Sequence, residues 1–260
     1  MTGNIFDTHA HYDDTAFDED RDTVLERLFS GGVCGIVNQG TTVETSRFSV
    51  ALAHRYEHLY AAVGLHPECL HENSRQELAV LRELYDDKKV VAVGEIGLDY
   101  YYDVPKPLQQ EIFAAQLALA NDLSLPVVIH DREAHGDVLD FIRTYHPKGI
   151  VHCFSGSKEM AAEVVRQGMY IGMGGVVTFK NARKAVEVVQ EIPLTALVLE
   201  TDCPYLAPVP HRGQRNDSGL IALTAERIAA IKGITTQEVL QITKENALRV
   251  YSLYKHPHTA

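Results

Sequence analysis

Short apolar runs rich in β-branched residues recur along the chain, and longer amphipathic stretches separate them. Eight such runs stand out, at 4–9, 32–38, 59–66, 90–95, 126–130, 149–152, 169–174 and 196–202. Val90-Val91-Ala92-Val93 and Ala196-Leu197-Val198-Leu199 are apolar at every position, the pattern of strands covered on both faces. Helical spacing marks the intervening segments. In 107–123 it sets Ile112, Phe113, Gln116, Leu117 and Ala120 on one face, and 74–85, 133–145, 157–167 and 181–191 read the same way. Gly31-Gly32, Gly149 and Gly168 sit where helices are expected to stop before the next strand. A regular βα alternation predicts a parallel sheet covered by helices. Eight units in 260 residues is the size of a (β/α)8 TIM barrel, expected here as one domain over 1–260. An open doubly wound sheet is the alternative, without the support of a Gly-x-Gly-x-x-Gly turn or a phosphate-loop motif. A long segment, 203–218, carries Pro204, Pro208, Pro210, Arg212 and Arg215; two further helical stretches, 219–231 and 236–251, are expected to close the barrel.

The polar residues fall where such a barrel keeps its active site, at the C-terminal ends of the strands. The first run ends in His9-Ala10-His11, the third in His66, the fourth in Glu95, the fifth in His130, the sixth in His152 and the eighth in Asp202. One histidine at a strand end is ordinarily a hydrogen-bonded surface or core residue. His-x-His says more, because a period of two sets both imidazoles on one face. Asp7 lies one step deeper, either orienting a ligand or paired as a buried acid. Glu95 follows four apolar residues and must be paired or metal-bound to be tolerated there. For Glu200, two residues before Asp202, a structural ion pair is expected. Imidazole and carboxylate on one rim point to a divalent ion: Zn, Mn, Fe, Co or Ni, or Mg if carboxylate and water dominate. Alternation turns Cys153 and Cys203 away from the mouth, arguing against a thiolate ligand. The donors exceed what one ion needs, and two ions bridged by Glu95 are the natural arrangement.

Composition narrows the classes. Apolar residues make up 45% and charged residues 23% of the chain, ordinary for a globular protein. No apolar run approaches the ~18 residues of a membrane span. The N-terminal residues lack the basic and apolar regions of a signal peptide. With four scattered cysteines and no Cys-x-x-Cys, a cytoplasmic protein with reduced thiols is expected, in which the sequon Asn216-Asp217-Ser218 would go unused. The net charge of −11 argues against gripping long nucleic acid through a broad basic surface.

Taken together, Asp7-Thr8-His9-Ala10-His11, Gly64-Leu65-His66-Pro67 and Gly94-Glu95-Ile96-Gly97-Leu98-Asp99-Tyr100 form a recognisable set. It continues with the 109–123 helix leading into Leu125-Pro126-Val127-Val128-Ile129-His130, and with His152-Cys153-Phe154-Ser155-Gly156. Leu199-Glu200-Thr201-Asp202-Cys203-Pro204-Tyr205-Leu206 and Arg212-Gly213-Gln214-Arg215-Asn216 complete it. The chain resembles the TatD family of metal-dependent deoxyribonucleases nearly end to end. The resemblance implies an amidohydrolase-like barrel, two divalent ions, and hydrolysis of phosphodiesters from the 3′ end of single-stranded nucleic acid. It implies His9, His11, Glu95, His130, His152 and Asp202 as metal ligands, with His66 at the scissile phosphate or the water. Two departures fall at the expected substrate mouth: Glu68, where the family often has histidine, and Asp217-Ser218, where it often has Glu-Pro.

On this reading Asp202 is the base for the attacking water, and DNA ends or short single strands are the partners. Arg132, Arg212 and Arg215 are candidates for binding flanking phosphates, or else solvated surface residues. Gly172, Gly174 and Gly175 could offer amides to a phosphate or simply allow close packing. Tyr100-Tyr101-Tyr102 could stack on bases or pack within their loop. Two rivals remain. An amidohydrolase of amide or ester bonds, aminoacyl-ester proofreading included, would often carry a bridging carboxylated lysine on the fourth strand; the rim residue there is Glu95, and Lys88 and Lys89 stand at the other end. A catalytically silent binding protein would show broken ligands, and none of the six is missing. Two divalent ions would restore about four positive charges where a phosphate must go.

Overall fold

The structure, a computed structural model, describes residues 3–254. Eight parallel strands alternate with helices: β1 (Ile5–Ala10), α1 (Arg21–Ser30), β2 (Val33–Gln39), α2 (Val43–Ala53), β3 (Leu59–Val63), α3 (Ser74–Arg82), β4 (Val90–Asp99) and α4 (Lys106–Leu123). There follow β5 (Val127–Arg132), α5 (His135–Tyr145), β6 (Gly149–Val151), α6 (Lys158–Arg166), β7 (Tyr170–Met173), α7 (Arg183–Glu191), β8 (Leu197–Leu199), α8 (Ile221–Lys232) and α9 (Thr236–Val250). The strands pair in chain order. Closure comes from a bridge between Ala10 and Cys203, flanked by Asp202 N–H donating to His9 O and His11 N–H to Cys203 O. The outcome is the expected (β/α)8 barrel. Among the described residues no helix is long and apolar enough to cross a membrane.

The apolar pattern explains the layers. β4 is buried at all ten positions because helices cover its outer face and other strands its inner one. α4 buries the five residues its spacing singled out. A second apolar cluster takes Phe6, Val37, Ala62, Val91, Ala92, Val128, Ile150 and Val198 from seven strands, and meets Ala247, Val250 and Tyr251 at the end of α9. Tyr251 stacks on Phe6 with centroids 6.3 Å apart and donates its hydroxyl to Thr8 O. The extra C-terminal helix thus packs its end against this inter-strand core. Two helices that no apolar spacing advertised, α1 and α2, are also present; α2 starts at a capping box of Thr42 and Thr45.

Several boundaries differ from the sequence pattern. α5 ends at His146 in the left-handed region (φ 47°), not at Gly149. Gly149, at φ 144°, lets β6 approach β5: a Cβ there would lie 2.1 Å from Val127 O. β4 runs on to Asp99, so Glu95 stands in mid-strand rather than at its end. β8 stops at Leu199, and Asp202 is presented by a left-handed backbone (φ 57°) in the loop beyond. Cys153 also has positive φ (42°), which breaks the alternation and leaves it lining the mouth.

Candidate metal centre

A cavity of about 790 Å³ opens at the C-terminal ends of the strands. His11, His66, Glu95, His130, His152 and Asp202 line it, and fully buried His9 completes the cluster. Glu95 is central, its two oxygens facing opposite groups of donors. Oε2 lies 3.4 Å from His9 Nε2 and 3.5 Å from His11 Nε2. Those two nitrogens are 3.1 Å apart and lie 3.6 and 3.5 Å from Asp202 Oδ1. Oε1 lies 2.8 Å from His152 Nε2, 3.1 Å from His130 Nδ1 and 3.4 Å from His66 Nε2. His130 Nδ1 and His152 Nε2 are 3.3 Å apart.

These separations fit a cation. Donors placed tetrahedrally about 2.0–2.1 Å from one ion stand ~3.3 Å from each other. Nitrogen facing nitrogen at such distances, as in His9 and His11, leaves lone pairs in conflict unless a proton or a metal lies between them. Burial, with His152 beside it, lowers His9 to about 4 and keeps it neutral, the form a metal requires. Burial also opposes charge on His11, but Asp202 and Glu95 push it up to about 9. Burial opposes charge on His130 too, and Asp99 and Glu95 raise it to about 10. Glu95, though buried, is held well below the usual carboxylate range by His152, His66 and His9. Protons on His11 and His130 therefore supply the positive charge this cluster demands, at atoms a divalent ion would take over. Three-residue groups able to hold an ion include His9-His11-Glu95, His9-His152-Asp202 and His66-Glu95-His130. No cysteine belongs to them, and burial raises Cys153 well above its ordinary value.

Asp99, which sequence reasoning gave no role, holds His130 in place: its Oδ2 lies 2.9 Å from His130 Nε2. Oδ1 accepts the amides of Tyr101 and Tyr102, at 2.9 and 3.4 Å. Residues 95, 97 and 99 share one face only because β4 continues past Glu95 to Asp99. At Gly97 (φ 147°) a Cβ would lie 2.0 Å from His130 O, so glycine lets β5 bring His130 against β4.

Other expectations change. Asp7 does not orient an imidazole. Burial raises it to about 6, and it accepts from Thr201 (N–H and hydroxyl), the Ser218 hydroxyl and the His9 amide, while His9 Nδ1 has no partner among the described residues. Glu200 pairs with His152 only at 3.9 Å; burial raises it to about 8, and its shorter contact is Oε1 accepting from Cys153 N–H. Ser218 is buried, so this departure from the family lies behind the barrel wall and not at the mouth; Asp217 pairs with Arg27. Glu68 does line the mouth. Asn216 is buried, donating to Thr201 O and Tyr205 O. Gly172 and Gly175 serve packing, for a Cβ on either would lie 2.3 Å from Glu200 Oε2 or Leu206 O; Gly174 borders a neighbouring cavity.

Of the three arginines, Arg132 alone lines the main cavity, its guanidinium 3.9 Å from the centroid of Tyr101. Arg215 is bound twice to Asp20, at 2.8 and 2.6 Å, and Arg212 lies over Phe179; neither lines the cavity. Tyr100 packs in its loop, bonded to Asp137, whereas Tyr102 lines the mouth and Tyr101 is exposed. Asp13, Asp14, Glu68 and Asp131 make the mouth acidic.

A (β/α)8 barrel with this donor cluster at its C-terminal mouth defines a metal-dependent hydrolase. The sequence model described as TatD related DNase matches residues 6–252, and the chain belongs to the TatD family. It is 42% identical over 253 residues to a metal-dependent hydrolase of Bacillus subtilis, YabD, covering 96% of this chain and 99% of that one. It is 33% identical to the 3′-5′ ssDNA/RNA exonuclease TatD of Erwinia tasmaniensis, covering 96% of this chain and 100% of that one. The crystal structure of YjjV, a TatD homologue from Escherichia coli, superposes with a TM-score of 0.91 at 34% identity, over 97% of this chain and 99% of that one.

Proposed function

We propose that this hydrolase uses two divalent ions to remove nucleotides from the 3′ end of single-stranded DNA or RNA. The observation that carries the reading is Glu95, with one donor set on each oxygen. His9, His11 and Asp202 would hold one ion with it, and His130 and His152 would hold the other. Nitrogen and oxygen donors without thiolate suit Zn, Mn, Co, Fe, Ni or Mg. When bound, such a pair lowers the pKa of water and neutralises phosphoryl oxygens. His66, whose Nε2 lies 3.4 Å from Glu95 Oε1 on the side of His130 and His152, would meet the scissile phosphate. Asp202 is the base for the attacking water. His11 and His9 keep it ionised against burial, and it is more exposed than Glu95, at 20% against 4% of the side chain. Arg132 approaches a flanking phosphate. The relative bearing an exonuclease name supports the substrate class.

The test is to incubate the purified protein with 3′-labelled single-stranded DNA, RNA and a panel of esters, with Mg, Mn, Co or Zn and with chelator. Products stepping from the 3′ end, abolished by chelator and by Asp202→Ala, are expected. Intact oligonucleotides alongside hydrolysed esters would overturn the assignment.

A further inference from the structure

A second cavity, of about 350 Å³, opens beside the metal centre between the loop after β6 and the start of α7. The two cavities share Cys153, Ser155 and Val176, so one molecule can occupy both. Their characters are opposite. The main mouth is acidic, whereas the second cavity is walled by buried Phe154, Met173, Ala182 and Ala185 and edged by exposed Arg183 and Lys184. Arg183 is paired with Glu187 at 2.7 Å; Lys184 forms no salt bridge among the described residues. α7 starts at Ala182 without a side-chain cap, which leaves its first amides at this same edge. A flat apolar group joined to an anion matches such a cavity, and its volume suits one nucleotide and not a continuing strand.

We propose that this cavity is a subsite for the penultimate nucleotide of the strand, with its base against Phe154 and Met173 and its 5′-phosphate at Lys184. The inference rests on the nuclease reading and assigns that site its upstream neighbour. It makes the phosphate one position upstream of the scissile bond a recognition element, held by Lys184, the one cation of the cavity edge without a salt bridge among the described residues.

The experiment compares a 5′-phosphorylated dinucleotide with the same dinucleotide lacking that phosphate, for the wild type, Lys184→Glu and Ala185→Leu, each loaded with Mn. The readout is the ratio of kcat/KM for the two substrates within one preparation, so loss of folded protein cancels. The wild type is expected to favour the phosphorylated dinucleotide about tenfold or more, the worth of one charge-assisted hydrogen bond. Lys184→Glu should abolish the preference, and Ala185→Leu, which fills the base cavity, should reduce it. A wild type that cleaves both equally, or variants that keep the full preference, would overturn the subsite while leaving the nuclease reading intact. A wild type that cleaves neither dinucleotide nor bis(p-nitrophenyl) phosphate would overturn both.

Discussion

Replacing Asp99 by asparagine changes one atom and tests how the second donor set is held. Asp99 is fully buried and its Oδ2 stands 2.9 Å from His130 Nε2. With a carboxylate there, Nε2 carries a proton in the charged and the neutral ring alike, so the proton that a binding metal displaces is the one on Nδ1, whose lone pair then faces Glu95 and His152. Asparagine can keep Oδ1 on the amides of Tyr101 and Tyr102, which places its NH₂ against Nε2. Nε2 must then accept, the proton moves to Nδ1, and the lone pair facing the centre is lost. A buried hydrogen bond to a charged group is worth about 1.5–3 kcal/mol. At about 1.4 kcal/mol per tenfold, one ion should bind about 10–150-fold more weakly, in line with the usual effect of removing a ligand's orienting partner. Titration of the metal-free protein against a chromogenic chelator reads this directly: one site weakened, the other unchanged, and kcat/KM recovering as metal is added in excess. Asp99→Asn with two wild-type affinities and wild-type activity at limiting metal would refute the argument.

Other outcomes follow from the same geometry. Glu95→Gln leaves the facing imidazoles without their shared carboxylate; bound metal by elemental analysis should drop below one per chain, and kcat/KM should fall at least about 100–1000-fold. Arg132→Ala should raise KM for oligonucleotides, while Arg215→Ala should leave KM unchanged and lower stability by no more than about 1 kcal/mol, because its pair with Asp20 is solvent-screened. His11 and His130 have folded-state values of about 9 and 10, above the ordinary 6.5. Their contribution to the metal-free protein is therefore fully present below pH 6.5 and lost as pH rises through 9 to 10, and Glu200, raised to about 8, adds a loss in the same direction above its ordinary 4.5. A divalent ion displaces those protons, so the rise in Tm on adding metal should be larger at pH 9 than at pH 6.5; equal rises by thermal melting would contradict the assignment.

Much of this was legible along the chain. The eight buried runs and their helices gave the barrel, because burial on both faces leaves an unbroken apolar signal in a strand. Seven polar residues at the ends of six apolar runs gave the cluster, because apolar neighbours make each one conspicuous. Other features left no such trace. Asp99 was hidden because β4 runs four residues past Glu95, and strand length depends on pairing with β5. Arg215 stayed open between a phosphate contact and a surface residue because its partner, Asp20, is 195 residues away. The shorter contact of Glu200 was hidden for a similar reason: 47 residues separate it from Cys153, whose amide donates to it.

The sequence by itself determined the alternation of elements, the barrel and which polar side chains gather at its mouth, since these depend on local periodicity and on residue chemistry. The tertiary structure alone decided which oxygen of Glu95 faces which imidazoles, which nitrogen of His130 faces the centre, and which arginine reaches the mouth. Those are distances of a few ångströms between residues far apart in the chain, set by the closure of β8 on β1 and by left-handed turns at Cys153 and Asp202 that no alternation rule foresees.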